Sequence, residues 1–162
     1  MIKLNSTSLN KIRIHATRAY PEECCGMLLG RDEEGSRRVG DVVQVANKKE
    51  ENRGRRYLIT PEDYQSAEDK AKAEGVQILG FYHSHPDHPA KPSQFDLEHA
   101  LPWWSYLIIS VERGQPAAVT SWRLKEDRLE FAEEMIELKD GEFVQSGMES
   151  NEKPSQKHSA SC

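Results

Sequence analysis

The chain has 162 residues, 30% of them charged and 36% hydrophobic, with a formal net charge of −5. This is enough for one domain with a buried sheet, and the acidic balance argues against nucleic acid as the main partner, because phosphate contacts need a basic face. No apolar run approaches the roughly 20 residues that span a bilayer, the first residues lack a signal-peptide core, and Cys24, Cys25 and Cys162 offer no disulfide framework, so a cytoplasmic setting is expected.

Leu9, Ile12, Ala16 and Ala19 recur near helical spacing up to Pro21, which predicts a first helix. Residues 25–31 and 39–47 are short apolar or β-branched runs and predict strands. The basic group Lys48, Lys49, Arg53, Arg55 and Arg56 is interrupted by Glu50 and Glu51 and reads as a solvated connection; it could also steer an acidic partner. Residues 57–60 predict a brief strand, followed by a helix with Thr60 as N-cap, Pro61 in the first turn and Gly75 as the stop. Residues 76–85 are apolar until their end and predict a buried strand. A short helix is expected at 93–101, strands at 105–112 and 117–125, and a final strand or helix at 128–138. Residues 140–162 are polar and are expected to be a disordered tail on a domain of residues 1–139. Helices and strands interspersed around one sheet indicate an α/β or α+β layered sandwich.

The stretch "GFYHSHPDHPAKPSQFD" concentrates groups that bind metals. On a strand, residues i and i+2 share a face, so His83 and His85 at a strand end can aim both imidazoles at one point with Ser84 turned away. Asp96 follows across a turn stiffened by Pro86, Pro89 and Pro92. Zinc takes ligands at about 2.0–2.2 Å in a tetrahedron, and a catalytic zinc keeps one position for water; two histidines and one carboxylate would leave that position open. Two plainer readings stand beside this one. The histidines can be solvated members of a polar loop, and Ser93-x-x-Asp96 matches a helix-capping pair, which is compatible with ligation. His88 as a fourth ligand would close the site and is read as a solvated turn residue. His15, His99 and His158 lack patterned partners. Cys24 and Cys25 are read as small buried hydrophobes and not as nucleophiles. Of Trp103 and Trp104, at least one is assigned to the core, and the other could line a groove.

The series His83-x-His85, seven residues, Ser93, two residues, Asp96, with Pro21-x-Glu23-x-x-Gly26 upstream, resembles the signature of the JAMM (MPN-plus) metalloproteases over roughly residues 5–138. The resemblance implies an α/β, cytidine-deaminase-like sandwich with a central mixed sheet flanked by helices. It implies one catalytic zinc on His83, His85, Asp96 and a water, with Glu23 as general base and Ser93 helping to stabilise the oxyanion. The local residues do not choose between Glu22 and Glu23; the family register selects Glu23. Members of the family cleave peptide or isopeptide bonds after the C-terminal glycines of ubiquitin-like proteins. Here the chain passes directly from Asp96 to the next strand, without the insertion of the deubiquitinating members, so it resembles the compact standalone prokaryotic type. The function this implies is a zinc-dependent metalloprotease that releases cysteine from a small sulfur-carrier protein or trims its C-terminus, with no nucleic-acid or membrane partner. The alternatives are an isopeptidase that removes ubiquitin-like modifiers from lysines and, more distantly, a non-catalytic MPN scaffold. A nucleotide deaminase of the same fold would need a Pro-Cys-x-x-Cys pair, which is missing. The sequence does not identify the cognate carrier or the oligomeric state.

Overall fold

The computed structural model describes residues 1–46 and 59–139. Strand β1 (Ile2–Leu4) leads into helix α1 (Ser6–Ala19). The helix starts where the Asn5 side chain accepts a hydrogen bond from Ser8 N at 2.7 Å, and it buries the stripe Leu9, Ile12 and Ala16. Strands β2 (Cys25–Glu33) and β3 (Ser36–Val45) then pair antiparallel. Helix α2 (Pro61–Ala73) is opened by a capping box between Thr60 and Asp63, and the chain leaves it through Gly75 at φ +67°, a left-handed conformation that glycine adopts without a Cβ penalty. The expected strand at 57–60 is not seen in its described part: Ile59 and Thr60 belong to no strand, and Tyr57 and Leu58 lie outside the described residues. The basic group at 48–56 and the tail at 140–162 lie outside them as well. Strand β4 (Gln77–Pro86), helix α3 (Gln94–His99), and strands β5 (Ser105–Glu112), β6 (Gln115–Leu124), β7 (Phe131–Glu134) and β8 (Ile136–Leu138) complete the order.

The strands form one mixed sheet in the order β7-β6-β5-β4-β2-β3-β1-β8. Strand β1 is parallel to both β3 and β8, and β4 is parallel to β5; the other pairs are antiparallel. β7 and β8 lie on opposite edges, yet only Met135 separates them. The sheet must therefore curl until its edges meet, and Ile2 N donates to Met135 O at 2.9 Å at that seam. Helix α1 fills the inside of the curl, packing Leu9, Ile12 and Ala16 with Ile2, Leu4, Leu28, Leu107, Ile109 and Ile136. Helix α2 covers the other face, where Ala67 and Ala71 meet Met27, Leu29, Val45 and Ile78. Each fully buried Leu or Ile in these layers contributes about 1.5–3 kcal/mol. The layered α/β architecture with a mixed central sheet is the one expected from the sequence. No helix among the described residues is long and apolar enough to cross a membrane.

Two local features set which way the end of β4 faces and how the turn before β5 is held. The β2–β4 register shifts between Leu28 and Leu29, whose partners are Gly80 and Ile78, so Leu79 is an extra, bulged residue. The bulge reverses the alternation of β4: Ile78 packs with α2, Leu79 and Tyr82 with α1, and Phe81 again on the α2 side. His83 and His85 continue the Phe81 parity and so emerge on the α2 side of the sheet. The second feature is Arg37, a buried guanidinium on β3. It donates to Leu79 O at 3.1 Å, Ser105 Oγ at 2.9 Å and Trp103 O at 2.6 Å, and it pairs with Asp32 at 3.4 Å. It thereby ties the turn before β5 to β3.

Candidate metal centre

At the C-terminal end of β4, the Nε2 atoms of His83 and His85 stand 3.0 Å apart. Asp96, in the first turn of α3, brings Oδ1 to 3.2 Å from His83 Nε2 and Oδ2 to 3.6 Å from His85 Nε2. All three side chains are buried. Two ligands about 2.0–2.1 Å from one ion and at the tetrahedral angle lie about 3.3 Å apart. The observed separations bracket that value, so one small cation fits among these three side chains.

The surroundings fix each ligand. His85 Nδ1 lies 2.8 Å from Pro89 O; a carbonyl only accepts, so Nδ1 carries the proton and the Nε2 lone pair is left for a metal. Ser93 N and Ser93 Oγ donate to Asp96 Oδ2 at 2.7 and 2.8 Å, and Asp96 N donates back to Ser93 Oγ at 3.1 Å. The predicted capping pair is therefore also the device that orients Asp96. Burial by itself would raise the Asp96 carboxyl, but His83 and the surrounding hydrogen bonds hold it well below the usual carboxylate range. Burial lowers His83. An ionised carboxylate beside a neutral imidazole is the state that a cation requires. At His85 burial also pulls downward, but the hydrogen bonds to Asp96 and Pro89 outweigh it and raise the ring.

Glu23 reaches the centre through strand pairing. Cys25 is the partner of His83. One step further, Ser84 N donates to Cys24 O at 3.0 Å and Cys24 N to Ser84 Oγ at 2.8 Å. The next step places Glu23 opposite His85. Glu23 is buried, whereas Glu22 is exposed. Burial pushes the Glu23 carboxyl up to about 7, with His85 opposing and Asp96 adding to the rise. The segment before it is also tethered, because Tyr20 Oη donates to Asp87 Oδ2 at 2.7 Å and Arg113 N to Asp87 Oδ1 at 2.8 Å. Gly26 makes room for Tyr82: a Cβ on Gly26 would sit 2.3 Å from that ring, whose hydroxyl lies 2.8 Å from His15 Nδ1.

The centre opens into a cleft of about 420 Å³ lined by Glu23, His85, His88, Pro89, Lys91 and Ser93. His88 is on its exposed rim, and the trio among the described residues that could hold a metal ion does not include it. His99 stacks on Phe95, and His158 lies outside the described residues. Burial pushes the Cys24 and Cys25 thiols up to about 11 and 12, which leaves them un-ionised at neutral pH. Trp104 packs edge-on against Phe81 and Tyr64, while Trp103 is 52% exposed. Both line a second, aromatic hollow of about 510 Å³ with Phe95, Leu101 and Tyr106. Sequence reasoning missed the Pro89 carbonyl, Lys91 and Arg37, because none of them carries a local pattern.

Residues 6–125 match the family described as prokaryotic homologs of the JAB domain. The chain is 37% identical over 91 residues to a desampylase of Haloferax volcanii, covering 56% of this chain and 63% of that protein. It is 32% identical over 104 residues to a Thermus thermophilus protein described as a probable TtuB-protein conjugate cleaving protease, covering 64% and 66%. A tail tip assembly protein K of Escherichia phage N15 is 30% identical over 104 residues, covering 62% of this chain and only 38% of that protein. The chain thus spans less than two thirds of the length of each of these relatives. The solution structure of a Desulfitobacterium hafniense protein superposes with a TM-score of 0.76 at 34% identity, covering 86% of this chain and 93% of that one.

Proposed function

The chain belongs to the prokaryotic homologs of the JAB domain, and from that premise we propose that it is a zinc-dependent metalloprotease acting at the C-terminal Gly-Gly of a small ubiquitin-like protein of the sulfur-carrier type. The observation that carries this reading is the convergence of His83, His85 and Asp96 at 3.0–3.6 Å, with a buried carboxyl, Glu23, facing the same cleft. When bound by these three residues, zinc supplies a Lewis acid that brings the pKa of water toward about 7 and polarises a carbonyl.

The rest of the work falls to the chain's own groups. Glu23 accepts the proton of the attacking water and passes it to the leaving amine, a task suited to a carboxyl held at about 7. Ser93 Oγ donates to the negative charge that develops on the carbonyl oxygen. When that hydroxyl turns to substrate, Ser93 N still holds Asp96 Oδ2. The Pro89 carbonyl keeps His85 in the tautomer and orientation that ligation needs. A Gly-Gly end has no side chains to clash with the walls of the cleft lined by Glu23, His85, His88, Pro89, Lys91 and Ser93. Cleavage of peptide-linked residues and removal of lysine-linked modifiers are both compatible with this chemistry. The relative described as a probable TtuB-protein conjugate cleaving protease supports a protein-conjugate substrate of this broader kind.

The test combines metal analysis with hydrolysis. Purified protein is expected to hold about one zinc per chain, and the zinc is expected to be lost in His83→Ala, His85→Ala or Asp96→Ala and kept in His88→Ala. A ubiquitin-like protein extended beyond its Gly-Gly should be cut at that point by mass spectrometry, with loss of cutting on chelation and recovery on adding zinc. Undiminished zinc in all three ligand variants would sink the site assignment.

A further inference from the structure

The loop between β4 and α3 carries a charge that the hydrolytic chemistry does not use. Lys91 lines the cleft with Glu23, His85 and Ser93. It is exposed and forms no ion pair among the described residues. The backbone that presents it is held at three points. Lys91 N donates to Pro89 O at 2.8 Å, and the same oxygen lies 2.8 Å from His85 Nδ1. Thr120 Oγ1 donates to Ala90 O at 2.6 Å. The base of Lys91 is therefore fixed relative to His85 through one shared carbonyl, while its ammonium moves over the cleft on a four-carbon stem.

A cation without an acidic partner among the described residues, beside a centre that cuts amide bonds, favours an anionic group on the substrate. The position of that group is set by the proton transfer. Glu23 delivers a proton to the leaving nitrogen, so that nitrogen lies beside Glu23. If the leaving group is a single C-terminal residue, its carboxyl carbon is two bonds from the nitrogen, about 2.5 Å away. Its carboxylate then stays within the same cleft, beside Lys91. In a lysine isopeptide the leaving nitrogen is the tip of a long side chain, and the lysine's own carbonyl is tied up in the backbone of the target. No charge comes near.

We propose that Lys91 is the contact for the free α-carboxylate of a one-residue leaving group, which directs this centre toward removing a terminal residue that follows Gly-Gly. The assignment rests on the hydrolytic reading of the site and narrows its substrate class. Equilibrium binding tests it, using the zinc-loaded Glu23→Gln protein so that the ligand survives. The probes are two peptides ending in Gly-Gly-Ala, one a free acid and one an amide; alanine keeps a thiol away from the metal. The free acid is expected to bind about tenfold more tightly, as for a charge-assisted hydrogen bond in a half-open site. That preference should collapse toward one when Lys91→Gln is added, persist with Lys91→Arg, and shrink as salt is raised. Equal binding of acid and amide by the Glu23→Gln protein overturns the assignment. So does a preference that survives Lys91→Gln, because the carboxylate is then held elsewhere. Neither result touches the hydrolytic reading, which fails separately if the zinc-loaded wild-type chain cuts neither the peptides nor a Gly-Gly-extended carrier.

Discussion

The Glu23 carboxyl is buried and sits two residues before Cys25, the β2 partner of His83, so its removal is a test confined to chemistry. Glu23→Gln keeps the shape of the side chain and removes the proton acceptor. Zinc content and melting temperature should stay near wild type, kcat should fall by about 10²–10⁴, and KM should change little, since the loss is confined to the transition state. Glu22→Gln, at an exposed position, is the control and should be nearly silent; a dead Glu22→Gln beside an active Glu23→Gln would move the register by one. The neighbouring thiols give a second test at this scale. Both are buried and pushed well above neutrality, so in a Cys162→Ser chain iodoacetamide should label neither Cys24 nor Cys25 at pH 7 until the protein is denatured. Rapid labelling of the native protein would show that β2 opens. Of the candidate centre, His83, His85, Ser93 and Asp96 were legible in the sequence, because strand alternation and helix capping are local rules. Glu23 was legible only through family resemblance. Its choice over Glu22 depends on the pairing of its neighbour Cys24 with Ser84, 60 residues away, which no local pattern records. Arg37 and Lys91 were silent for the same reason.

At the scale of elements, Asp41 on β3 links the two long helices, which cover opposite faces of the sheet. Lys11 of α1 reaches it at 2.6 Å and Lys70 of α2 at 2.9 Å. Burial alone would raise the Asp41 carboxyl, but the hydrogen bonds from both lysines hold it well below the usual range. A carboxyl depressed in the folded state contributes stability above its unfolded value, about 3.9, and loses that contribution as pH falls toward the folded value. These side chains are substantially exposed, so the expected size is at most about 1 kcal/mol. Asp41→Asn should therefore unfold in less denaturant than wild type at pH 7, and the gap should narrow steadily as pH falls below about 4. A gap as wide at pH 2 as at pH 7 would mean that Asp41 acts through packing. The limits of α2 were readable because Thr60, Pro61 and Gly75 each impose a backbone state. The segment 128–138 stayed ambiguous between strand and helix, because its identity depends on two distant partners: Phe131–Glu134 joins β6, while Ile136–Leu138 joins β1. Strand β1 has only three residues, too short to show a period. The bulge at Leu79 gives no sign apart from Gly80, where a Cβ would meet Ser105 O at 1.9 Å.

For the whole molecule, we propose that residues 1–139 are sufficient to fold and to act. A chain ending at Lys139 should melt within a few degrees of the full chain and cut the same substrate at the same rate, since residues 140–162 carry little apolar surface to pack. A large fall in either quantity would show that the remaining residues dock on the domain. The layered class was readable from the mixture of helical and strand periods, but the curl was not, because a closing seam is a property of the two ends of the sheet together. That seam also orders events in time. Strand β1 is flanked by β3 and β8, so Ile2–Leu4 has one neighbour at residues 37–39 and the other at residues 136–138. During synthesis the first strand leaves the ribosome early and waits for the last. Until Ile136–Leu138 emerges, one side of β1 keeps its peptide groups unpaired, and the inner face around Ile2 and Leu4 is not closed off. A nascent or stalled chain thus shows chaperones and proteases a sticky edge and an apolar lining at the same place, and both disappear together when β8 docks. Pairing at such long sequence separation also slows the final step. The seam therefore separates finished chains from unfinished ones before any substrate is met.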